Sequence, residues 1–224
     1  LKINPSGSSF AVLEKKDKKL NKIAIYNLWA YNKRMYKLYK DSIYPISICY
    51  SPDAKTFVAG GSNKKLFFFN TYNYKINKVI RLPVAAEKMV MSNNNYFLAF
   101  SNGEDVYIWN LETNELRKEL TMDSQVKDFT FSNNNLFAVL TSDGKLTIYN
   151  TDTFLEQQSY DAMGEAVHCY FHPSGKYIAI VTGDKRIMIL NILNEKDRQY
   201  IDNPDGNISD ARFLKDGKGD VYLA

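Results

Sequence analysis

Two histidines, two cysteines and scattered carboxylates are the residues best able to do chemistry in this chain of 224 residues. His168 and His172 are four positions apart. On an extended strand they would point the same way but stand about 13 Å apart, too far to share a metal ion. No Cys, His or carboxylate cluster at ligand spacing accompanies them, so both read as structural, with His172 opening a turn. Cys49 and Cys169 are 120 residues apart, and a disulfide needs Cα atoms within about 7 Å. Both are expected to be thiols outside any disulfide. "GGSNK" at Gly60 lacks Walker spacing, and "GKG" at Gly217 is no dinucleotide fingerprint. "DNPDG" at Asp202 echoes a calcium loop without its distal Glu, and there is no serine nucleophile elbow. The expectation is a chain with no catalytic residue, no metal and no cofactor.

The net charge of +4, from 29 basic and 25 acidic residues, gives no nucleic-acid signature. Bases do concentrate near the N-terminus: Lys15, Lys16, Lys18 and Lys19 in "KKDKKLNK", which reads as a loop longer than its counterparts, then Lys33, Arg34 and Lys37 in the outer strand "NKRMYKLYK". Bases interleaved with aromatics could grip phosphates or stack nucleobases, which would make this an RNA- or ribosome-associated protein. A solvated edge strand whose lysines deter pairing is the plainer reading. The apolar content, 45% with 14% aromatic, suffices for a large core. No apolar run approaches the roughly 18 residues of a membrane span. A cytoplasmic location is favoured over a periplasmic or secreted one, which would require a signal segment ahead of Leu1.

The elements that must position these residues come from a repeat. A turn opener recurs as "NPSG" at Asn4, "SPDA" at Ser51, "SNNN" at Ser92 and Ser132, "HPSG" at His172 and "LKDG" at Leu214, with spacings of 47, 41, 40, 40 and 42. A closing Asn recurs at Asn27, Asn70, Asn110, Asn150 and Asn191, spaced 43, 40, 40 and 41. A two-ended period near 40 marks an array of structural units. Each unit holds four short strands. In the fourth they are "VKDFTF" (126–131), "LFAVL" (136–140), "KLTIYN" (145–150) and "FLEQQSY" (154–160). Apolar character falls from the second strand to the fourth. That gradient suits sheets stacked between neighbours, with the last strand outermost, better than a flat sheet wet on one face. The closing Asn starts the turn into the fourth strand, its side chain accepting from the backbone two residues on.

On "SPDAKTFVAGGSNKKLFFFN" (51–70), "HPSGKYIAIVTGDKRIMILN" (172–191) and "SDGKLTIYN" (142–150), the chain resembles the WD-repeat family of β-propellers, and more loosely the YVTN and quinoprotein-like propellers. The resemblance covers essentially the whole chain. It departs from the family pattern in two ways. The terminal Trp-Asp pair is replaced by Tyr-Asn, Phe-Asn, Trp-Asn and Leu-Asn, with Trp109 alone keeping the Trp, and no Gly-His pair precedes the first strand of any unit. The family's buried His–Asp network should therefore be absent or replaced. The resemblance implies an all-β propeller of four-stranded antiparallel blades. As one domain over 1–224, the blades fall near 1–44, 45–85, 86–124, 125–165 and 166–206, with a partial one at 207–224. Five and a half blades point to a seven-bladed ring that continues past Ala224.

In such propellers one loop face surrounds the channel mouth. Aligned on the turn opener, Ser47, Lys88, Asp128, His168 and Asp210 share a position early in the first strand. Tyr44, Glu87, Asp128, Glu165, His168 and Asp210 would then form a mixed-charge rim for a protein or peptide partner. The functional expectation is a non-catalytic interaction scaffold. A small-ligand or enzymatic propeller with a central-channel site is the alternative.

Overall fold

The computed structural model describes residues 1–16, 20–28, 36–38, 45–161, 164–202, 208, 211–215 and 221–223. The fold is all-β. The first sheet runs β1 (Lys2–Ile3), β2 (Ser9–Lys16), β3 (Leu20–Asn27) and β4 (Tyr36–Leu38). The second is β5 (Pro45–Tyr50), β6 (Thr56–Gly61), β7 (Lys65–Asn70) and β8 (Ile76–Arg81). The third is β9 (Lys88–Met91), β10 (Phe97–Asn102), β11 (Asp105–Asn110) and β12 (Glu115–Thr121). The fourth is β13 (Val126–Phe131), β14 (Leu136–Thr141), β15 (Lys145–Asn150) and β16 (Glu156–Asp161). The fifth is β17 (Ala166–Phe171), β18 (Tyr177–Thr182), β19 (Arg186–Asn191) and β20 (Arg198–Asp202). A two-stranded sheet, β21 (Phe213–Lys215) and β22 (Val221–Leu223), ends the series. In every sheet, neighbours in sequence are neighbours in space. These residues thus show five four-stranded sheets, and nothing in them supports a total of seven.

The chain divides into two compact units, 1–102 with 106–120, and 103–105 with 121–224. The first holds the first three sheets, and the second holds the rest. Within each unit the sheets stack face to face, as propeller blades do. The evidence is the alternation of single strands. In β6, Phe57 and Ala59 join Ala11, Ile23 and Ile25 of the first sheet, while Val58 joins Met89, Leu98 and Phe100 of the third. In β18, Ile178 and Ile180 pack with Ala138, Leu140 and Ile148 of the fourth sheet, while Ala179 and Val181 pack with Ala211, Phe213 and Leu223. Side chains alternate across a strand, so a strand apolar at every position must be covered on both faces. The outer strand β16 buries only Tyr160, whose hydroxyl donates to the Ile192 carbonyl at 2.6 Å.

The turns follow the repeat chemistry. Asn70, Asn110, Asn150 and Asn191 each accept, through Oδ1, the N–H two residues on, at 2.8 to 3.0 Å. The corresponding turn after Asn27 lies largely outside the described residues. The fourth residue of the opener has positive φ in Gly7, Ala54, Asn95, Asn135 and Gly175, between 55° and 69°. That explains the Gly and Asn found there, since other residues seldom adopt this conformation. His172 plays the part that Ser and Asn play elsewhere: its Nδ1 accepts the Ser174 N–H at 3.0 Å.

Two expectations change. Phe154 is not in the fourth strand of its unit; it sits in the preceding turn with φ of 53° and is buried, so β16 starts at Glu156. The "KKDKKLNK" insertion is not simply a longer loop. Lys15 and Lys16 pair with Asn21 and Leu20, extending β2 and β3 to eight residues each. Among the described residues no helix is long and apolar enough to cross a membrane.

Candidate functional site

The shared position early in the inner strand is built by a bulge. Pairing slips between Pro45 and Ser47, between Val126 and Asp128, and between Ala166 and His168. A bulge re-aims the following side chain, and at two of these places the side chain reaches the next sheet. The Ser47 hydroxyl donates to the Ala86 carbonyl, just before β9. Asp128, only 4% exposed, accepts from His168 Nδ1 at 2.9 Å and from the Cys169 N–H at 3.3 Å. Its other oxygen accepts the Phe129 N–H at 2.8 Å. An ionised carboxylate only accepts, so against it Nδ1 carries the hydrogen. The imidazole keeps Nε2 for another partner, and its side chain is 29% exposed. Along β17 the ring of His168 is followed by Tyr170, which lies under the guanidinium of Arg212 at 5.2 Å.

Of the anticipated rim, then, Asp128 and His168 are joined by a hydrogen bond. Glu165 is exposed at the approach to β17, its carbonyl bonded to the Gly183 N–H. Glu87 is exposed in the other unit, its N–H donating to the Ser101 carbonyl. Tyr44 and Asp210 lie outside the described residues. In the basic segment, Lys15 and Lys16 belong to β2 and Lys37 to β4; Lys18, Lys19, Lys33 and Arg34 lie outside the described residues. Among the described residues, no three His, Cys, Asp or Glu side chains converge to hold a metal ion.

Both cysteines are buried and outside any disulfide. Burial pushes the Cys49 thiol up to about 12, against a smaller opposing pull from Lys2.

In the first unit, clefts open at the other end of the strands, where the opener and closing-Asn turns meet. One, between the first and second sheets, holds about 430 Å³ and is lined by Ser6, Ser8, Asn27, Thr71 and Tyr72 among others. Another, between the second and third sheets, holds about 340 Å³ and includes Asp53, Phe68, Lys78 and Asn95. There Lys78 Nζ stands 5.6 Å from the Phe68 ring centroid and 3.4 Å from the Leu111 carbonyl. The Ser51 hydroxyl, bonded to Asp53 at 2.6 Å, is the main cause holding the Asp53 carboxyl below its ordinary range. Sequence reasoning looked only to the opposite loop end. The signal for the first of these clefts was the uncharged run of Ser, Asn, Thr and Tyr in "NPSGSS" and "NTYNY".

No family model matches the chain, and no curated protein matches it.

Proposed function

We propose that the chain is a non-catalytic interaction module, a divergent WD-like propeller that presents loop residues to a polypeptide partner. The observation that carries this reading is a division of labour at the approach to the inner strands of the second unit. Asp128 is buried and committed to the joint between sheets, while Lys127, Glu165 and Val167 around it are exposed. Charges of both signs beside a small apolar contact suit partner selection and orientation.

Photo-crosslinkers placed at Lys127 and Glu165, with Gln158 on the outer strand as the control, test the reading. Polypeptide adducts should form from the two rim positions; the adduct from position 127 should disappear on Glu165→Lys, and that from position 165 on Lys127→Glu. Equal yield from Gln158, or adducts indifferent to charge reversal, would overturn it. A second reading, a small-ligand site at the imidazole, is favoured by the Asp128 bond that leaves Nε2 open. His168→Gln should then abolish ligand binding while leaving the rim adducts intact.

A further inference from the structure

We propose that the cleft between the first and second sheets is a binding site for a neutral polyhydroxylated ligand, such as a short uncharged glycan. This goes beyond the rim reading and uses a different surface. The first observation is composition. Among the described residues, every side chain lining this cleft of about 430 Å³ is uncharged, in a chain in which 24% of residues are charged. A charged ligand entering it would lose hydration without gaining a counter-charge.

The second observation is where the protons are. Ser6 Oγ donates to Asn4 Oδ1 at 2.8 Å. Its one proton is therefore committed, so the 2.8 Å contact between Ser6 and Ser8 is a donation from Ser8. Thr71 Oγ1 donates to the Ala54 carbonyl at 2.7 Å. Ser8 and Thr71 thus present hydroxyl oxygens whose protons are already used, and these accept. A ligand that satisfies them must bring several closely spaced donors without a charge. Vicinal hydroxyl groups do so; a peptide brings one backbone N–H per residue.

The third observation is Tyr72, which lines the cleft and is 92% exposed. Its N–H is held by Asn70 Oδ1 in the turn, which fixes where the ring leaves the backbone. An aromatic face beside hydrogen-bonding oxygens matches a sugar ring, which has C–H groups on its faces and hydroxyls at its edge.

Saturation-transfer NMR and calorimetry on the chain test this with tri-N-acetylchitotriose, cellotriose and mannotriose. Trigalacturonate, spermidine and an uncharged Gly-Ser-Asn peptide serve as comparators. At least one neutral trisaccharide should bind in preference to all comparators. Tyr72→Ala should weaken that binding about tenfold or more, and Ser8→Ala less, while Tyr72→Phe should retain it. An unchanged melting temperature for Tyr72→Ala shows that the fold is intact. Absence of binding by all three trisaccharides, equal or better binding of a comparator, or indifference to both alanine variants overturns the proposal. Lys127→Glu and Glu165→Lys should not affect this binding, so failure here and failure of the rim reading are separable.

Discussion

The Nδ1 atom of His168 lies 2.9 Å from Oδ2 of Asp128, the residue forty positions earlier at the same place in the preceding sheet. With the Cys169 N–H on the same oxygen, one carboxylate ties β13 to β17. The resemblance to WD repeats led to the expectation that the family's buried His–Asp network would be absent or replaced. In the second unit the same two residue types meet at a different place, the bulged start of the inner strand.

Removing that carboxylate should destabilise the second unit. Asp128→Ala leaves the Cys169 and Phe129 N–H groups and the imidazole N–H without their acceptor, a loss of about 1–3 kcal/mol. His168→Gln should cost less, since an amide N–H₂ can still donate to the carboxylate. Urea unfolding monitored by circular dichroism would give both values. A Asp128→Ala variant as stable as the parent would show that the bond is incidental.

In the first unit the corresponding joint is guarded by a glycine. A Cβ on Gly60 would stand 2.6 Å from Ser47 Oγ and 3.2 Å from both the Cβ and the carbonyl oxygen of Ala86. Gly60→Ala should therefore push Ser47 off its Ala86 acceptor and cost about 1–3 kcal/mol. Ser47→Ala removes the nearest clash, so the double variant should lose less than the sum of the two single ones. Strict additivity in a double-mutant cycle would show that Ser47 and Gly60 do not share this contact.

Much of the frame was legible because it rests on local rules. The spacing of Ser92, Ser132 and His172, and of the closing Asn residues, located turns whose backbone hydrogen bonds the structure shows. The limits of β13 and β15 agree with the reading of the fourth unit. Phe154 was misplaced because its apolar side chain looks like a strand residue, whereas positive φ in a non-glycine residue leaves no mark in composition. The Asp128–His168 bond was not foreseen. Both residues were placed at one aligned position, but alignment carries no direction, and the bulges that re-aim them depend on pairing register. The clefts were missed for a similar reason: each needs turns from two successive sheets, and neither turn is unusual alone.

The two thiols should be silent in the native protein. Cys49 and Cys169 are 4% and 0% exposed, and burial raises the Cys49 thiol to about 12, so almost none is thiolate near pH 8. A chromogenic disulfide reagent should count close to zero rapidly reacting groups in buffer and two in denaturant. Rapid native labelling would show that these inner strands open readily, and a count of zero after unfolding would mean that a disulfide links them.

Acid should weaken the turns before it weakens the core. The Asp53 carboxyl is held below its ordinary value of 3.8 chiefly by the Ser51 hydroxyl, and that of Asp143 chiefly by the Thr141 hydroxyl. A depressed folded-state value means that the unfolded chain takes up protons more readily. The stabilisation is thus complete above 3.8 and disappears as pH falls through that value towards the lower folded one. Both groups are largely exposed, which keeps each contribution small. The Asp53→Asn, Asp143→Asn double variant should melt below the parent at pH 7 and lose less melting temperature between about pH 5 and pH 3, because it no longer carries the two titrating groups. Calorimetric scans across that interval decide the matter: if parent and variant fall in parallel, the two turns contribute nothing to acid sensitivity.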